Sequence, residues 1–542
     1  MRNAAERILG SVTRSSFSPT MLLKSDEMLA VYGNDRGFVV TARDKRQRAV
    51  IGYSFTKYDE QNMPCGLKWW LKASNESMKS NTSATRASQR RTSYNVVEPF
   101  LTSTWDQDTP YNYDCPKVES TGKNCMTGCV ATAMAQAMYY YQYPASAKFT
   151  GTYYVDSEEK TKSISSTYDW AGMKDSYTGK EKKLEAKPVS TLMRDCGYSV
   201  GMSYSANSSG AYDLNIGLAL HEVFQYDSLA VKYYDRQFYT DEEWYNIVYS
   251  ALEERQPVLY SGCTENSEAH EFLLGGIDSD GLVWINWGWG GDGDGYFDMD
   301  VPRYYTKPFT LYQTAVVGMR PQVTPDSKDH YESMWLTDSI NYTAADDPDS
   351  LWLQMSYLYN YSLLEFNGTI DVTLVDKNNP TIVRYLNLLD TNKEFEVKGE
   401  EDEEEKAEDG EGNEDAGETT VIGPIGAFYG FSMEDDDTVC VGGLRDVPEG
   451  IYSMYLTSNE VRDSERQLVR VPGGRQVATL KKLSDGRILV SNEDVPDIED
   501  TAVRQTRNVQ KGEEAVYDLS GRRISKPARR GIYIVGKQKE IR

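Results

Sequence analysis

The stretch TGCVATAMAQAMYYYQYP, Thr127 to Pro144, limits this chain more than any other. Val130, Met134, Ala137, Met138 and Tyr141 recur near the helical period and Pro144 bars continuation, which predicts a helix beginning at Cys129. Ala131, Ala133 and Ala135 leave room for neighbours to pack closely. The fold must therefore accommodate a tightly packed helix whose first residue is a cysteine. A thiol there meets orphan backbone N–H groups and the positive end of the helix dipole, both of which favour the thiolate. That matters because a free thiol with its usual pKa is only about 3% ionised at pH 7. Gly128 would let a substrate backbone come close. An inert buried cysteine, or a pairing of Cys125 with Cys129 or Cys115, fits the same position, so the helix start alone leaves the role open.

At 542 residues the chain exceeds what one hydrophobic core supports, and several domains are expected. No window approaches the roughly eighteen uninterrupted apolar residues of a membrane span. A net charge of -25 argues against nucleic acid as a partner, because phosphate binding needs a basic face. Much of that charge is local: Gly399 to Glu418 holds about a dozen acids against a single Lys and reads as a solvated loop. The seven cysteines are too few and too widely spaced for a disulfide scaffold, and one at least stays unpaired. The start, MRNAAERILGSVTRSSFS, lacks an apolar run of signal-peptide length. Either the protein stays inside the cell or a leader has already been trimmed.

An α+β organisation follows from the order of signals. Residues 1–79 read as a small α+β unit: GFVVTARDKRQRAVIGYSF holds two β-rich runs around a charged turn, and MPCGLKWWLKASNESM opens a helix after Pro64. Residues 80–99 are polar and basic without apolar period, a linker whose Arg86, Arg90 and Arg91 invite proteolysis. In residues 100–321 helix signals precede strand signals. Residues 322–497 alternate as a β-sandwich does, with the acidic loop 399–418 inside them. Residues 498–542 form a linker and a short ending of two strand-like runs joined by a basic turn.

A nucleophilic thiol needs a base within hydrogen-bond reach, and the chain offers His221, His270 and His330 alone. His221 sits in a helical stretch and lacks the second His of a zinc-protease helix, while His330 falls in a polar linker. His270 opens the strand AHEFLLGGID, and Asn286 stands on the next strand, VWINWGW, where an amide could hold an imidazole in one tautomer. By elimination His270 is the candidate base. An oxyanion would find the Cys129 N–H and a side-chain amide such as Gln107 in TWDQDTPYN, although spacing alone does not select that Gln.

TWDQDTPYNYDCP, TGCVATAMAQAMYYYQYP, LMRDCGYSVGMSYSANSSGA, PVLYSG and INWGWGGDGDGYF together resemble the streptopain family of papain-like cysteine peptidases over residues 100–320. GFVV, VIGYS and MPCGLKWWL are similar to that family's inhibitory propeptide. The resemblance implies Cys129 as nucleophile, His270 as general base, Gln107 as oxyanion donor, Asn286 as orienter and Trp287 as a shield over the pair. It also implies polypeptide substrates, the chain's own propeptide as intramolecular inhibitor, and a leaning to an apolar residue two before the scissile bond. Where the family has a small residue after the histidine and an acid further along, this chain has Glu271 and Gly275. The ending VYDLSGRRI and RRGIYIV resembles the sorting signal of the type IX secretion system, which implies export to the medium or the cell surface; a plain terminal β-hairpin fits the same residues.

No cofactor or metal is expected. Gly288, Gly290 and Gly293 match a G-x-G-x-x-G pattern but lead into a strand, leaving a phosphate no helix to rest on. In DGDG, Asp292 to Gly295, Tyr296 takes the third position of a calcium loop. The spacing of Cys115, Cys125 and Cys129 fits no standard zinc pair. The expected function is that of a secreted cysteine endopeptidase zymogen. Its rivals are an acyl transferase on the same fold and a catalytically silent surface-binding protein.

Overall fold

In the computed structural model the described residues are 2–10, 20–45, 47–80, 94–264, 269–299, 301–302, 311–321, 334–355, 358–391, 438–462 and 465–498, with short strands at 426–428, 516–517, 523–524, 532–535 and 538–541. The acidic loop, His330 and most of the expected processing linker, including Arg86, Arg90 and Arg91, lie outside them.

Helix α1 (Arg2–Gly10) precedes four strands, β1 (Met21–Ser25), β2 (Leu29–Asn34), β3 (Gly37–Ala42) and β4 (Val50–Ser54), and helix α2 (Cys65–Ser80). The two runs around the charged turn are β3 and β4, and α2 follows Pro64 as the sequence predicts. Helix α3 (Cys129–Tyr141) is buried from Val130 through Met138. Its alanines allow this, because a helix buried all round needs small residues wherever a neighbour comes close.

Next come β5 (Ser146–Val155), β6 (Glu158–Thr167), α4 (Lys187–Ser199), β7 (Ser203–Tyr204), α5 (Leu214–Leu218) and β8 (Lys232–Asp235). Helix α6 (Asp241–Glu253) opens on a capping box in which Thr240 and Glu243 satisfy each other's backbone N–H groups. The strands β9 (Val258–Thr264), β10 (His270–Ile277), β11 (Val283–Asn286), β12 (Gly295–Phe297) and β13 (Leu311–Val317) complete the region.

One antiparallel sheet joins the N-terminal unit to the rest, in the order β1-β2-β3-β4-β12-β11-β10-β9-β13-β8. The seam is β4 on β12, with Gly52 opposite Phe297 and Ser54 opposite Gly295. Arg48 pairs with Asp298 at 3.2 Å, and the Tyr53 hydroxyl donates to Asp278 at 3.1 Å. Trp70 and Phe38 share one core with Trp287 and Phe272. Residues 20–80 thus share one core with the residues that follow them. Strand β10 is buried at every position, because both of its faces are covered.

A second core lies within residues 334–488, enclosed by three antiparallel sheets, where the sequence predicts a sandwich. Arg470 fastens it to the first: its buried guanidinium donates to the Phe238 carbonyl at 3.1 Å and to Glu243 at 3.2 Å, and lies over the Tyr239 ring. At the C-terminus Val516–Tyr517, Arg523–Ile524, Ile532–Val535 and Gln538–Ile541 make one small antiparallel sheet, four strands where the sequence suggests two. Among the described residues no helix is long and apolar enough to cross a membrane.

Candidate active site

Gly128 enters α3 at φ 87°, a conformation that L side chains avoid, and a Cβ there would stand 2.7 Å from the Met202 sulfur. Glycine is the residue that fits just before Cys129. The Thr132 hydroxyl and N–H both donate to the Gly128 carbonyl, at 2.9 and 3.0 Å, and lock the turn. Burial holds the Cys129 thiol above its ordinary pKa, while the N–H groups of Glu271, Val130 and Cys129 itself pull it down and Asp213 adds a smaller upward push. The sequence predicts the downward pull but not the burial, which comes from distant parts of the chain. Cys125 is pushed up to about 11 by burial, and Cys65, Cys115, Cys125, Cys129, Cys196 and Cys440 are free thiols.

His270 is buried, and its Nε2 lies 2.9 Å from the Trp287 carbonyl oxygen. A carbonyl only accepts, so Nε2 carries the proton and Nδ1 is the basic nitrogen. The sequence gives that orienting bond to Asn286, and here the structure corrects it. Asn286 pairs with Leu273 across the sheet, so by strand alternation it projects from the face opposite His270. Its amide donates to the Ser103 carbonyl at 2.7 Å and to Gln136 at 3.0 Å, and its oxygen accepts the Gly288 N–H at 2.8 Å.

Gln136 is the residue that sequence reasoning missed. Its oxygen also accepts from the Ser103 hydroxyl and the Trp105 N–H, each at 3.0 Å, and so ties the segment leading to Gln107 onto α3. Thr132 and Gln136, polar at a spacing of four inside an alanine-rich helix, were the available signal. Gln107 is buried, and its carbonyl accepts the Thr127 N–H at 3.0 Å, two residues before Cys129. Trp287 is buried over Phe272. Its N–H donates to Asp294 at 2.9 Å and its indole N–H to the Gly293 carbonyl at 3.0 Å. Burial lifts the Asp294 carboxyl to about 7 against the pull of that N–H. Gly288, Gly290 and Gly293 all have positive φ, which makes the glycine pattern a turn that carries Trp287. His221 is remote from this cluster, on the segment after α5, where its Nδ1 lies 3.4 Å from the Tyr226 carbonyl.

The N-terminal unit reaches into this cluster. A Cβ on Gly66 in α2 would fall 2.6 Å from His270 Cδ2 and 2.5 Å from the Trp287 ring. Trp69 lies over Gly262 and beside Phe272, on the same face of the sheet as the imidazole.

A thiol opening a central helix, set against an antiparallel sheet whose strand carries a buried imidazole, defines the class of papain-like cysteine peptidases. Residues 105–297 match the Peptidase C10 family. Streptopain of Streptococcus pyogenes is 31% identical over 316 residues, covering 53% of this chain and 78% of that protein. The thiol protease/hemagglutinin PrtT of Porphyromonas gingivalis is 32% identical over 293 residues, covering 50% of this chain but 33% of PrtT, so the chain spans about a third of that relative's length. Among solved structures, a prointerpain A fragment of Prevotella intermedia shares 33% identity at TM-score 0.49, covering 56% of this chain and 99% of its own. Active interpain A of the same organism shares 38% at TM-score 0.37, covering 41% and 95%. The chain belongs to the Peptidase C10 family.

Proposed function

We propose that the chain is the zymogen of a secreted cysteine endopeptidase, held latent by residues 1–79. The observation that carries this reading is α2 packed against His270 and Trp287 while its own strands extend the catalytic sheet. A site so covered admits no polypeptide, and burial holds the thiol's pKa up. Release of the prosegment opens the site to water, while the N–H groups that favour the Cys129 thiolate stay in place.

In the freed enzyme His270 Nδ1 takes the thiol proton and the thiolate attacks the substrate carbonyl carbon. The Cys129 N–H and the Gln107 amide receive the oxyanion. The imidazolium then gives its proton to the leaving amine, and water, deprotonated by the same nitrogen, releases the acyl group. Trp287 acts through its carbonyl, which fixes the tautomer, and Asn286 through the segment it ties to α3. PrtT lends the reading its printed name as a thiol protease, and the C-terminal residues lend it a type IX export route to the cell surface or the medium.

The test is covalent labelling by an epoxide inhibitor, with the N-terminus sequenced before and after incubation under thiol. Labelling of Cys129 only after the N-terminal segment is lost supports the reading. Equal labelling of the intact chain, or none at any stage, overturns it. New peptide termini in the products distinguish hydrolysis from acyl transfer.

A further inference from the structure

The residue after the histidine is a glutamate, and it is 3% exposed. Among the described residues its Oε2 has no hydrogen-bond partner. A buried carboxyl left without a partner is costly, and a group held so beside a nucleophile is a receptor for something absent from the folded chain.

Glu271 stands opposite Ser261 on β9, and Ser261 stands opposite Thr314 on β13, so the three project from one face of the sheet. The Thr314 hydroxyl donates to Asp213, whose carboxyl also caps α5. The Asp213 charge acts on both Glu271 and the Cys129 thiol. On the Cys129 side, the Ser205 carbonyl accepts the Met126 N–H at 3.0 Å, and Gly128 abuts Met202 and the Ser209 carbonyl. Two carboxyls therefore act on the thiol from one side, and burial raises the pKa of each. Among the described residues no three metal-ligating side chains converge.

The occupant's side of the scissile bond follows from the strand. His270 must reach the leaving amine, so the leaving group lies on the imidazole's face of β10. Glu271, the next residue, projects from the opposite face, toward the acyl half of the substrate.

We propose that Glu271 and Asp213 form an acidic subsite that takes a lysine or arginine side chain two residues before the scissile bond. The inference rests on the peptidase reading above and replaces the apolar preference that the resemblance implies. A lysine or arginine cation favours the ionised form of both carboxyls and donates the hydrogen bond that Glu271 Oε2 lacks. The chain itself offers basic sequences of this kind in its linker, at Arg86, Arg90 and Arg91.

The experiment compares two fluorogenic peptides that differ only in Arg or Leu at that position, using full-length chain incubated under thiol until activity is constant. The ratio of kcat/KM, Arg over Leu, should be at least about tenfold in the wild type, the scale of a buried charge-assisted hydrogen bond. Glu271→Gln should lower the ratio by about tenfold, and Asp213→Asn, which keeps the helix cap, should lower it in the same direction. A wild-type ratio at or below one, or a ratio unmoved by Glu271→Gln, overturns the subsite while leaving the peptidase intact. Cleavage of neither peptide overturns the peptidase reading and the subsite with it. If Glu271→Gln does not fold, the wild-type ratio and Asp213→Asn decide.

Discussion

Gly66, in the first turn of α2, lies against the ring of His270, so closely that a single added carbon would stand 2.6 Å from Cδ2. The imidazole is fixed behind by the Trp287 carbonyl at 2.9 Å and cannot retreat without losing that bond. Gly66→Ala should therefore lift α2 rather than move the ring. Overpacking of this kind costs about 1–3 kcal/mol, on the order of 5- to 150-fold in the prosegment's hold. The half-time of processing should shorten several-fold, followed by gel electrophoresis of the incubated chain. An unchanged half-time would detach α2 from latency.

Asn286 and Gln107 should separate cleanly. Asn286→Ala leaves Ser103, Gln136 and Gly288 short of partners but leaves the His270 tautomer alone, so it should cost about 1–3 kcal/mol of stability and change kcat less than about tenfold. Gln107→Ala should keep the fold and lower kcat by about 10²–10³, the usual loss for one oxyanion donor. If Asn286→Ala instead collapses kcat and displaces its pH profile at full stability, the amide orients the imidazole after all. A loss below about threefold for Gln107→Ala would remove that residue from the oxyanion site.

What the sequence made legible was local. The helix at Cys129 and the strand at His270 are legible from local pattern, and the shortage of histidines singles out a candidate base. Two features required three dimensions. Which face of β11 carries Asn286 depends on register against Leu273, and adjacency in sequence cannot reveal that. The pairing of β4 with β12 joins residues more than two hundred positions apart, so residues 1–79 read as a separate unit although they complete a shared core. Gln136 was hidden for a related reason, since a lone amide in a helix shows its role only once Ser103, Trp105 and Asn286 converge on it.

Asp294 makes stability depend on pH with a definite sign. Its folded value of about 7 lies above the 3.8 of an unfolded aspartate, so the folded chain holds the extra proton between these values. Stability from this group is therefore greatest at low pH, falls as pH rises from about 4 to about 7, and is level above that. Asp294→Asn stays neutral throughout and can still accept the Trp287 N–H. Measured by urea unfolding in a Cys129→Ala background, the variant should gain on the parent by on the order of 2 kcal/mol between pH 5 and pH 8. An equal difference at the two pH values would show that Asp294 does not titrate there.

The C-terminal strands carry the export reading. Removing Ala515 to Arg542 should strand the protein in the periplasm of a bacterium that uses type IX secretion, without harming the activity of purified material. The deleted residues form a sheet of their own, while the catalytic sheet is built from residues before Gly318. Normal export of the truncated chain would remove the sorting role.

Maturation and catalysis should depend on the same sulfur. If residues 1–79 close the site, the nearest peptidase able to release them is the chain itself or its neighbour in solution. Cys129→Ala trades a thiol for a methyl group at a helix start and leaves the Gly128 turn and the Thr132 bonds untouched, so the fold should survive. The variant should persist at full length where the wild type shortens by about 10 kDa, the prosegment's share of the 61.3 kDa chain. His270→Ala should behave alike, because without Nδ1 no base forms the thiolate and no acid protonates the leaving amine. Cys125→Ala should still process: burial pushes that thiol up to about 11, away from the thiolate, and it precedes the helix whose dipole would help it. Electrophoresis of the three purified variants without added protease decides the matter. Shortening of Cys129→Ala on its own, or a block by Cys125→Ala with none by Cys129→Ala, would move the nucleophile elsewhere.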